Sequence, residues 1–568
     1  QVLGADNGIF HTWQITDDQF AAENKRLVNH KNYYYMAVAY AYNNYTPFDA
    51  ITTVGQRRTY LEGRNNVRRY NPMPHPPVYT KVNSIYGEEP IVTRLSGSGA
   101  GENFLDVDNE TIDQIGTSTF NGEIKYLPGA APLRVKVVNP LSVSEGAFIL
   151  EFFDQDGDPD RLSPNGMWRF YPENSPNDFV LSDRTIASLT EQVIPKFGFS
   201  ILLGQSDDVG ERADETNGGI GISVTYDDPN GPEWLTWVTD DFAGAELFNM
   251  VKTGENEEYF LDDPTAALTQ LGDGQFMPFI LTDYNKNQDP ATNPFGFITS
   301  PMWQNNQAKL INGLGKLNEL NNVDIILTSD KSKWSRCAIV ETSNGYDTDL
   351  ALVTEGKATN MDLRGKLSVG KDAGPDGLPV PEYSAADGEL ENGLGWFPGF
   401  AFDAETGQRL NIFFGERTVY NEDIQAAFPE IPNNGNDMMW NPDDLLILPQ
   451  QQQITNFETY LGGSHYIYVT NIPYDSCKSL YTALRANTIP LRRAQGLAKV
   501  TWTGIPMLNQ GDSLMSYADG LIPNDVHIKL RVDNPYQMVE GLQQYESHPA
   551  YRIEFSDVMS RAITCLLY

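Results

Sequence analysis

The stretch from Gly393 to Glu416, GLGWFPGFAFDAETGQRLNIFFGE, constrains the fold more than any other part of the chain. It holds two short apolar runs rich in Phe and Trp, joined by a polar link (403–407, DAETG) with the residues of a turn. Segments 323–328, 333–340 and 464–470 have the β-branched and aromatic content of further strands. The sequence therefore predicts a central β-hairpin inside a sheet, with aromatic side chains facing a core and the turn acids facing water.

Length and composition extend this prediction to the whole chain. The 568 residues are too many for one core and predict roughly three or four domains. Tyr (28) and Phe (27) are both abundant, which favours sheets over helical bundles. We expect a mainly β protein with several β-sandwich (fibronectin-III/Ig-like) modules and a larger β-rich domain carrying one or two short helices.

Patterns along the chain suggest five divisions. We expect the C-terminal half of a fibronectin type III-like module, an extended Pro/Gly-rich linker, a β-sandwich domain, a loop-rich insertion and a β-rich domain with covering helices. The periodicity of Leu and Ile predicts these helices at 307–320 and 477–486. The divisions are, in that order, residues 1–63, 64–125, 126–226, 227–300 and 301–568.

The net charge of −36 limits the kinds of partner. Nucleic acid and anionic membrane surfaces both require basic stripes on a protein, so neither is expected as a partner. No stretch approaches the roughly 20 apolar residues of a spanning helix. The chain starts at Gln1 without a signal peptide, and we expect it to be a mature or truncated piece of its protein.

The loop 154–160, DQDGDPD, is the most chemically loaded short motif. Carboxylates at every second position can converge on calcium, which takes six to eight oxygen ligands and tolerates flexible geometry. The loop departs from the EF-hand pattern, since Pro159 stands where the glycine belongs and Asn165 where the bidentate Glu belongs. The motif is either an acidic solvated hairpin tip or a calcium site, with calcium as the only cofactor expected. Its ligands are Asp154, Asp156, Asp158 and Asp160.

Three cysteines are too few for a disulfide scaffold. Cys337 and Cys477 are the candidate pair for a single bridge in an extracellular protein, and two buried free thiols are the alternative. Cys565 has no assigned partner.

Catalytic motifs are absent from the sequence. It contains no nucleophile elbow, no H-E-x-x-H, no phosphate-binding loop and no dinucleotide fingerprint. Two features keep a carbohydrate-related function open. One is a carboxylate pair drawn from Asp403, Glu405 and Glu416, and the other is a sugar-stacking platform formed by Trp234 and Trp237, although tryptophans three apart usually anchor packing. His465 is expected to be a sheet residue.

Six segments of the chain form a recognisable set. They are NHKNYYYMAVAYAYNNY (29–45), GQRRTYLEGRNN (55–66), SDKSKWSRCAIVE (329–341), the 393–416 hairpin, NDMMWNP (436–442) and GGSHYIYV (462–469). Together they resemble a family of large proteins of Bacteroidota that are exported by the type IX secretion system and usually end in a C-terminal sorting domain. The resemblance covers most of the chain and implies secretion, but the family has no assigned activity. The sorting domain itself has no counterpart in the sequence.

These observations favour a secreted or cell-surface protein with a structural or adhesive role and no enzymatic activity, located outside the cell or on the outer membrane. The expected partners are other surface proteins, copies of itself, or glycans. One alternative is a carbohydrate-binding module or glycoside hydrolase. The other is a subunit of an extracellular filament or secretion-associated assembly, which the incomplete N-terminal sandwich favours.

Overall fold

The structure is a computed structural model of the whole chain. It describes residues 15, 17–22, 25–28, 31–37, 40–42, 46–62, 68–73, 84–101, 103–153, 162, 165–187, 190–204, 220–237, 276–278, 320–342, 363–382, 392–417, 434–447, 460–485, 499–536 and 549–554. These residues form mainly strands, so the predicted fold class, mainly β, is confirmed.

The strands run, in chain order, as β1 (Tyr35–Ala37), β2 (Tyr40–Tyr42), β3 (Tyr60–Glu62), β4 (Arg68–Tyr70), β5 (Ile91–Ser96), β6 (Ile124–Tyr126), β7 (Arg134–Val137), β8 (Phe148–Phe153), β9 (Met167–Pro172), β10 (Val180–Leu181), β11 (Thr190–Ile194), β12 (Phe199–Leu203), β13 (Ile220–Tyr226), β14 (Leu235–Trp237), β15 (Met277–Pro278), β16 (Val323–Leu327), β17 (Ser335–Glu341), β18 (Val369–Ala373), β19 (Pro379–Pro381), β20 (Leu394–Phe397), β21 (Gly399–Asp403), β22 (Arg409–Glu416), β23 (Leu446–Ile447), β24 (Tyr460–Leu461), β25 (Ile467–Pro473), β26 (Val500–Gly504), β27 (Pro506–Leu508), β28 (Val526–Val532) and β29 (Ala550–Glu554). The described residues also form the helices α1 (Asn109–Gly116) and α2 (Lys478–Arg485), with short 3-10 turns at Lys331–Lys333 and Asn434–Asn436.

The largest sheet has ten strands and is built around the predicted hairpin. Its main path is β13-β28-β16-β21-β22-β25-β26-β15, and β17 joins β22 in parallel and β20 in antiparallel. Strands β21 and β22 pair directly, with Ala401 opposite Leu410, so the hairpin is confirmed. Because neighbours flank it on both sides, the hairpin lies in the interior of the sheet.

A second body combines a six-stranded sheet, β10-β9-β8-β29-β5-β6, with a three-stranded sheet, β11-β12-β7. Side chains from both sheets form one apolar cluster. Within it the ring of Phe148 stacks on Phe170 at 5.3 Å and meets the edge of Phe199 at 5.0 Å. The last described strand, β29, lies between β5 and β8.

The hairpin is shared by the two hydrophobic cores. Phe400, Phe402 and Ala404 belong to the core of the second body, whereas Ala401 and Leu410 belong to the core of the large sheet. Alternate residues of a strand point to opposite faces, so β21 delivers its two sets of side chains to two different cores. The hairpin therefore connects the two bodies through buried apolar contacts.

Several sequence expectations need correction. Residues 91–96 and 124–125, expected in a linker, belong to strands of the six-stranded sheet, because β5 pairs with β29 on one side and with β6 on the other. The strand Ile220–Tyr226, expected to end the sandwich domain, pairs with β28 of the large sheet. The domain boundaries themselves stay predictions, as do the sandwich modules.

Helix α2 is confirmed near its expected position, with Leu480 and Leu484 buried. The helix predicted over 307–320 lies outside the described residues except for Leu320, and most of the 227–300 insertion lies outside them too. Cys337 and Cys477 are buried free thiols, so the predicted bridge between them is wrong. Cys565 lies outside the described residues.

Near the N-terminus two small sheets form, β1 with β4 and β2 with β3. Tyr33 is buried, and its backbone N–H donates to Pro72 O at 3.0 Å, while its hydroxyl accepts from Val28 N at 2.9 Å. These contacts link residues 28, 33 and 72 near the N-terminus to one another. Across the described part of the chain, no helix has the length and apolarity needed to span a bilayer.

Candidate functional site

Two acids of the central hairpin, Glu405 and Glu416, are buried, contrary to the expectation that the turn acids face water. Glu405, in the turn, is 4% exposed, and Glu416, at the far end of β22, is 0% exposed. A buried carboxylate must be matched by hydrogen bonds or by opposite charge. Each acid therefore organises a cluster, called here the Glu405 site and the Glu416 site.

The Glu405 site joins segments that are far apart in sequence. Oε2 accepts from Gly99 N at 2.6 Å, and Oε1 accepts from the side-chain amides of Asn322 and Asn534, both at 2.6 Å. These donors are 306, 83 and 129 residues from Glu405. One carboxylate thus fixes the hairpin turn to three other parts of the chain.

The loop that supplies Gly99 is held by Arg94 of β5. The Arg94 guanidinium donates to Gly97 O at 3.1 Å, to Gly99 O at 2.8 Å and to the Tyr126 hydroxyl at 3.1 Å. The Tyr126 hydroxyl in turn donates to Ala404 O at 2.9 Å. Gly99 has φ +87° and lies so close to the backbone of residue 535 that a Cβ would be 2.1 Å from its carbonyl oxygen. Only glycine fits this approach.

Asp403 closes the hairpin turn. Its Oδ1 accepts from Glu405 N at 2.8 Å and Thr406 N at 3.0 Å, and its Oδ2 accepts from the side chain of Asn321 at 3.1 Å. Burial, followed by the negative charge of Glu405, raises the pKa of Asp403 to about 6. The turn therefore contains one carboxyl that titrates near neutrality.

The Glu416 site centres on Arg364. Its Nη1 lies 2.6 Å from Glu341 Oε2, its Nε lies 3.1 Å from Glu416 Oε2, and its Nη2 donates to Asn436 Oδ1 at 2.6 Å. The three charged side chains are at most 1% exposed. One buried cation therefore serves two buried carboxylates.

Asp437 supplies a third carboxyl to this site. Glu416 Oε1 accepts from the backbone N–H groups of Asp437 at 3.2 Å and Met438 at 2.6 Å, and the Asp437 carboxyl accepts from Met439 N at 3.0 Å and Asn441 Nδ2 at 2.7 Å. Burial, followed by the charge of Glu416, raises the pKa of Asp437 well above its usual range, and burial also raises the pKa of Glu416. Asp437 therefore retains its proton at pH values where an exposed Asp has lost it.

His465 is buried beside this site, two residues before β25, and is therefore not the sheet residue expected from the sequence. Burial, followed by the positive charge of Arg364, lowers the pKa of His465 to about 3. Its Nε2 would lie 2.7 Å from a Cβ at position 463, so Gly463 is needed for the ring to fit. The imidazole is therefore neutral at physiological pH and fills the core beside Arg364.

A third set of buried charges, which sequence reasoning missed, joins β16 and β28. Asp324 Oδ2 lies 2.8 Å from His527 Nε2, and its Oδ1 pairs with Arg531, which also donates to Leu105 O at 2.8 Å. Burial alone would raise the pKa of Asp324, but Arg531 and His527 outweigh it and lower the pKa to about 2. The available signal was Asp324 itself, a charge inside the apolar run VDIIL.

The Glu405–Glu416 pair and the two tryptophans do not form a carbohydrate site. Glu405 lies in the turn before β22 and Glu416 is the last residue of β22, an eight-residue strand that spans about 23 Å, whereas a hydrolase pair is within about 10 Å. Trp234 and Trp237 are buried, and Trp234 Nε1 donates to Asn524 O at 2.8 Å. Both tryptophans are packing anchors.

The predicted calcium ligands at 154–160 lie outside the described residues, so that site stays a prediction. Within the described ranges, no group of three or more His, Cys, Asp or Glu side chains converges as a metal site. Comparison of the chain with protein-family models, curated proteins and solved structures found no match.

Proposed function

We propose that this is a secreted or cell-surface protein with a structural or adhesive role, and that its buried ionisable groups serve cohesion rather than a reaction. The observation that carries the proposal is the Glu405 site, where one carboxylate binds donors from three distant segments. A group used in this way holds the molecule together.

The Glu416 site has the same character. The carboxylates of Glu341 and Glu416 face Arg364, and Glu416 also accepts two backbone N–H groups. A catalytic acid or base must reach a substrate, with a proton to give or accept near the working pH. These groups instead contact each other and the surrounding backbone at 0–1% exposure, which supports a structural role.

The charge of the chain supports an exposed location. A net charge of −36 keeps copies of a protein soluble and suppresses non-specific contact with anionic surfaces. Together with the family resemblance of the sequence, it motivates the assignment to the cell exterior. Calcium remains a proposed partner through the 154–160 loop.

Surface labelling of the native host tests this proposal. Intact cells are treated with a membrane-impermeant biotinylating reagent, and the protein is recovered with an antibody before and after lysis. We expect the same biotin signal in both samples, together with retention of protein-coated beads on host cells. Labelling that occurs only after lysis would contradict the location, and beads that wash off like uncoated ones would contradict adhesion.

The filament or assembly-subunit alternative is favoured by one specific observation. The small N-terminal sheets expose large apolar side chains, among them Tyr34 at 79% and Met36 at 59%. Such side chains gain free energy when a partner covers them.

A further inference from the structure

Asn-Gly pairs are places where a polypeptide can modify itself without an enzyme. The backbone nitrogen of the glycine attacks the side-chain carbonyl carbon of the asparagine, and glycine permits this because it has no Cβ to obstruct the attack. The sequence contains nine such pairs. The described residues include five of them, at Asn121, Asn165, Asn230, Asn392 and Asn434, and the contacts of these five differ.

The Asn121–Gly122 pair lies between α1 and β6, and both of its residues are exposed. The Asn121 side chain folds back along the chain, because its Oδ1 accepts from Glu123 N at 3.1 Å. Negative charge develops on Oδ1 when the side-chain carbonyl carbon is attacked, so a backbone donor at this atom stabilises the transition state. The turn therefore supplies a hydrogen bond of the oxyanion-hole type to its own asparagine.

The attacking and leaving nitrogens of this pair are both free. Within the described part of the chain, no group accepts a hydrogen bond from Gly122 N–H or from Asn121 Nδ2. Gly122 has φ +96°, and a Cβ added to it would meet no atom within 4 Å. A five-membered ring therefore has room to form here without displacing a neighbouring group.

Two of the other pairs have an exposed asparagine but an engaged attacking nitrogen. Gly231 N–H, next to Asn230, donates to Asp228 O at 3.0 Å. The N–H of residue 393, next to Asn392, donates to the carbonyl oxygen of residue 366 at 2.9 Å. Each of these hydrogen bonds must break before the nitrogen can attack, so both pairs should react slowly in the folded protein.

The remaining two pairs are held in other ways. The Asn434 Nδ2, which would have to leave, donates to Asn441 O at 2.9 Å and to Asp443 Oδ2 at 2.8 Å. Gly166, next to Asn165, is buried, and its carbonyl oxygen accepts from Ile186 N at 2.8 Å. Its backbone therefore cannot turn toward the asparagine without breaking that bond.

We propose that Asn121 is a self-modification site, at which the Gly122 nitrogen closes a succinimide ring on the side chain and releases ammonia. A bond forms between Gly122 N and Asn121 Cγ, the Cγ–Nδ2 bond breaks, and Nδ2 leaves as ammonia with the proton that Gly122 N loses. Water then opens the ring at either carbonyl and gives aspartate or isoaspartate. Each event adds one negative charge beside the pair of Glu123 with Arg552, which are 3.5 Å apart. Because the reaction needs only water, it records the age of the molecule wherever the protein resides.

Peptide mapping of the wild-type protein tests the proposal, with the other four pairs as internal controls. The folded protein and a sample unfolded in concentrated urea are incubated at mildly alkaline pH in water enriched in the heavy oxygen isotope. Electron-transfer fragmentation then distinguishes isoaspartate from aspartate at each site. We expect Asn121 to react in the folded protein at its rate in urea or faster, and the other four asparagines to react about tenfold or more below theirs, because each must first give up a hydrogen bond.

Two glutamine variants add an independent readout. Asn121→Gln keeps the amide but requires a six-membered ring, so it should remove the first acidic band that forms on isoelectric focusing, and the control Asn230→Gln should retain that band. Folding that slows Asn121 as much as the other asparagines overturns the inference, as does an acidic band that persists in Asn121→Gln. Aspartate without isoaspartate at this site also overturns it, because direct hydrolysis would then have acted without Gly122.

Discussion

The two ends of the central hairpin each stabilise a buried carboxylate, but they do so in different ways. At the turn, the carboxylate of Glu405 accepts hydrogen bonds from one backbone N–H and two side-chain amides, all neutral. At the other end, Glu416 faces a buried cation, Arg364, and a neighbouring carboxyl that retains its proton, Asp437. Glu405 is stabilised by the positions of neutral dipoles. Glu416 is stabilised by the charge of Arg364 and by the proton on Asp437.

This difference determines how each end responds to change. The donors to Glu405 carry no charge that pH or salt can change, so these hydrogen bonds are lost only when a donor or the carboxylate is removed. The pH response of the turn comes from Asp403. A buried charge network fails when its cation is removed, and its stability follows the protonation of its acids. The Glu416 end should therefore lose more stability than the turn when a single side chain is removed.

The largest effect is expected from Arg364→Leu. The substitution leaves the carboxylates of Glu341 and Glu416 buried without their cation, and it should lower the free energy of unfolding by about 3–5 kcal/mol. Urea denaturation followed by tryptophan fluorescence measures the loss. The control is Arg169→Leu, which breaks an exposed pair with Glu151 and should cost about 1 kcal/mol or less. Similar losses in the two variants would show that the Arg364 network contributes no more to the free energy of unfolding than a surface ion pair does.

A smaller loss is expected from Glu405→Gln. The amide keeps the shape but removes the charge, and its NH₂ group faces a donor from Gly99 or from the two asparagines. The cost should be about 2–3 kcal/mol. Hydrogen exchange at the Gly99 amide reports the local effect and should accelerate. Unchanged exchange at that amide would contradict the assigned hydrogen bond.

The next prediction concerns alkaline pH and Asp437→Asn. The pKa of Asp437 is raised in the folded state, so its contribution is fully present below the unfolded pKa of about 3.9 and is lost as pH rises through the folded pKa. The asparagine mimics the protonated acid. Urea midpoints from pH 4 to 9 should therefore fall less steeply in the variant than in the wild type, and parallel curves would contradict a retained proton.

The smallest and narrowest effect is expected from Asp403→Asn. The pKa of about 6 confines the loss of stability to the interval between about pH 4 and pH 6. The difference between this variant and the wild type should change within that interval and stay constant above about pH 7. A difference that grows up to pH 9, as expected for Asp437→Asn, would mean that the two ends do not differ.

The sequence was sufficient to predict the hairpin but not its surroundings. The FAF and IFF runs with DAETG between them define two strands and a turn in any context. These continuous apolar runs also carried a signal of burial on both faces, which a half-exposed hairpin would not need. The burial of Glu405 could not be inferred, because turn residues are the same in water and in a core, and its partners are up to 306 residues away.

Glycine and strand order explain the other differences. The run SGSGAG at 96–101 has the composition of a flexible linker, yet Gly99 is required for a close backbone approach. The strand Ala550–Glu554 was not predicted, because its place between β5 and β8 follows from distant pairing rather than local pattern. Local chemistry determines the elements, and long-range pairing determines which of them touch.

The position of β29 constrains when the molecule can become folded. The six-stranded sheet needs residues 550–554 in its interior, between strands formed by residues 91–96 and 148–153. A ribosome that has made residues 91–153 must therefore add about 400 more residues before the strand that completes this sheet is made. Pairing across so many residues is slow, because a very long loop must close first. The sheet thus stays incomplete until residues 550–554 have left the ribosome.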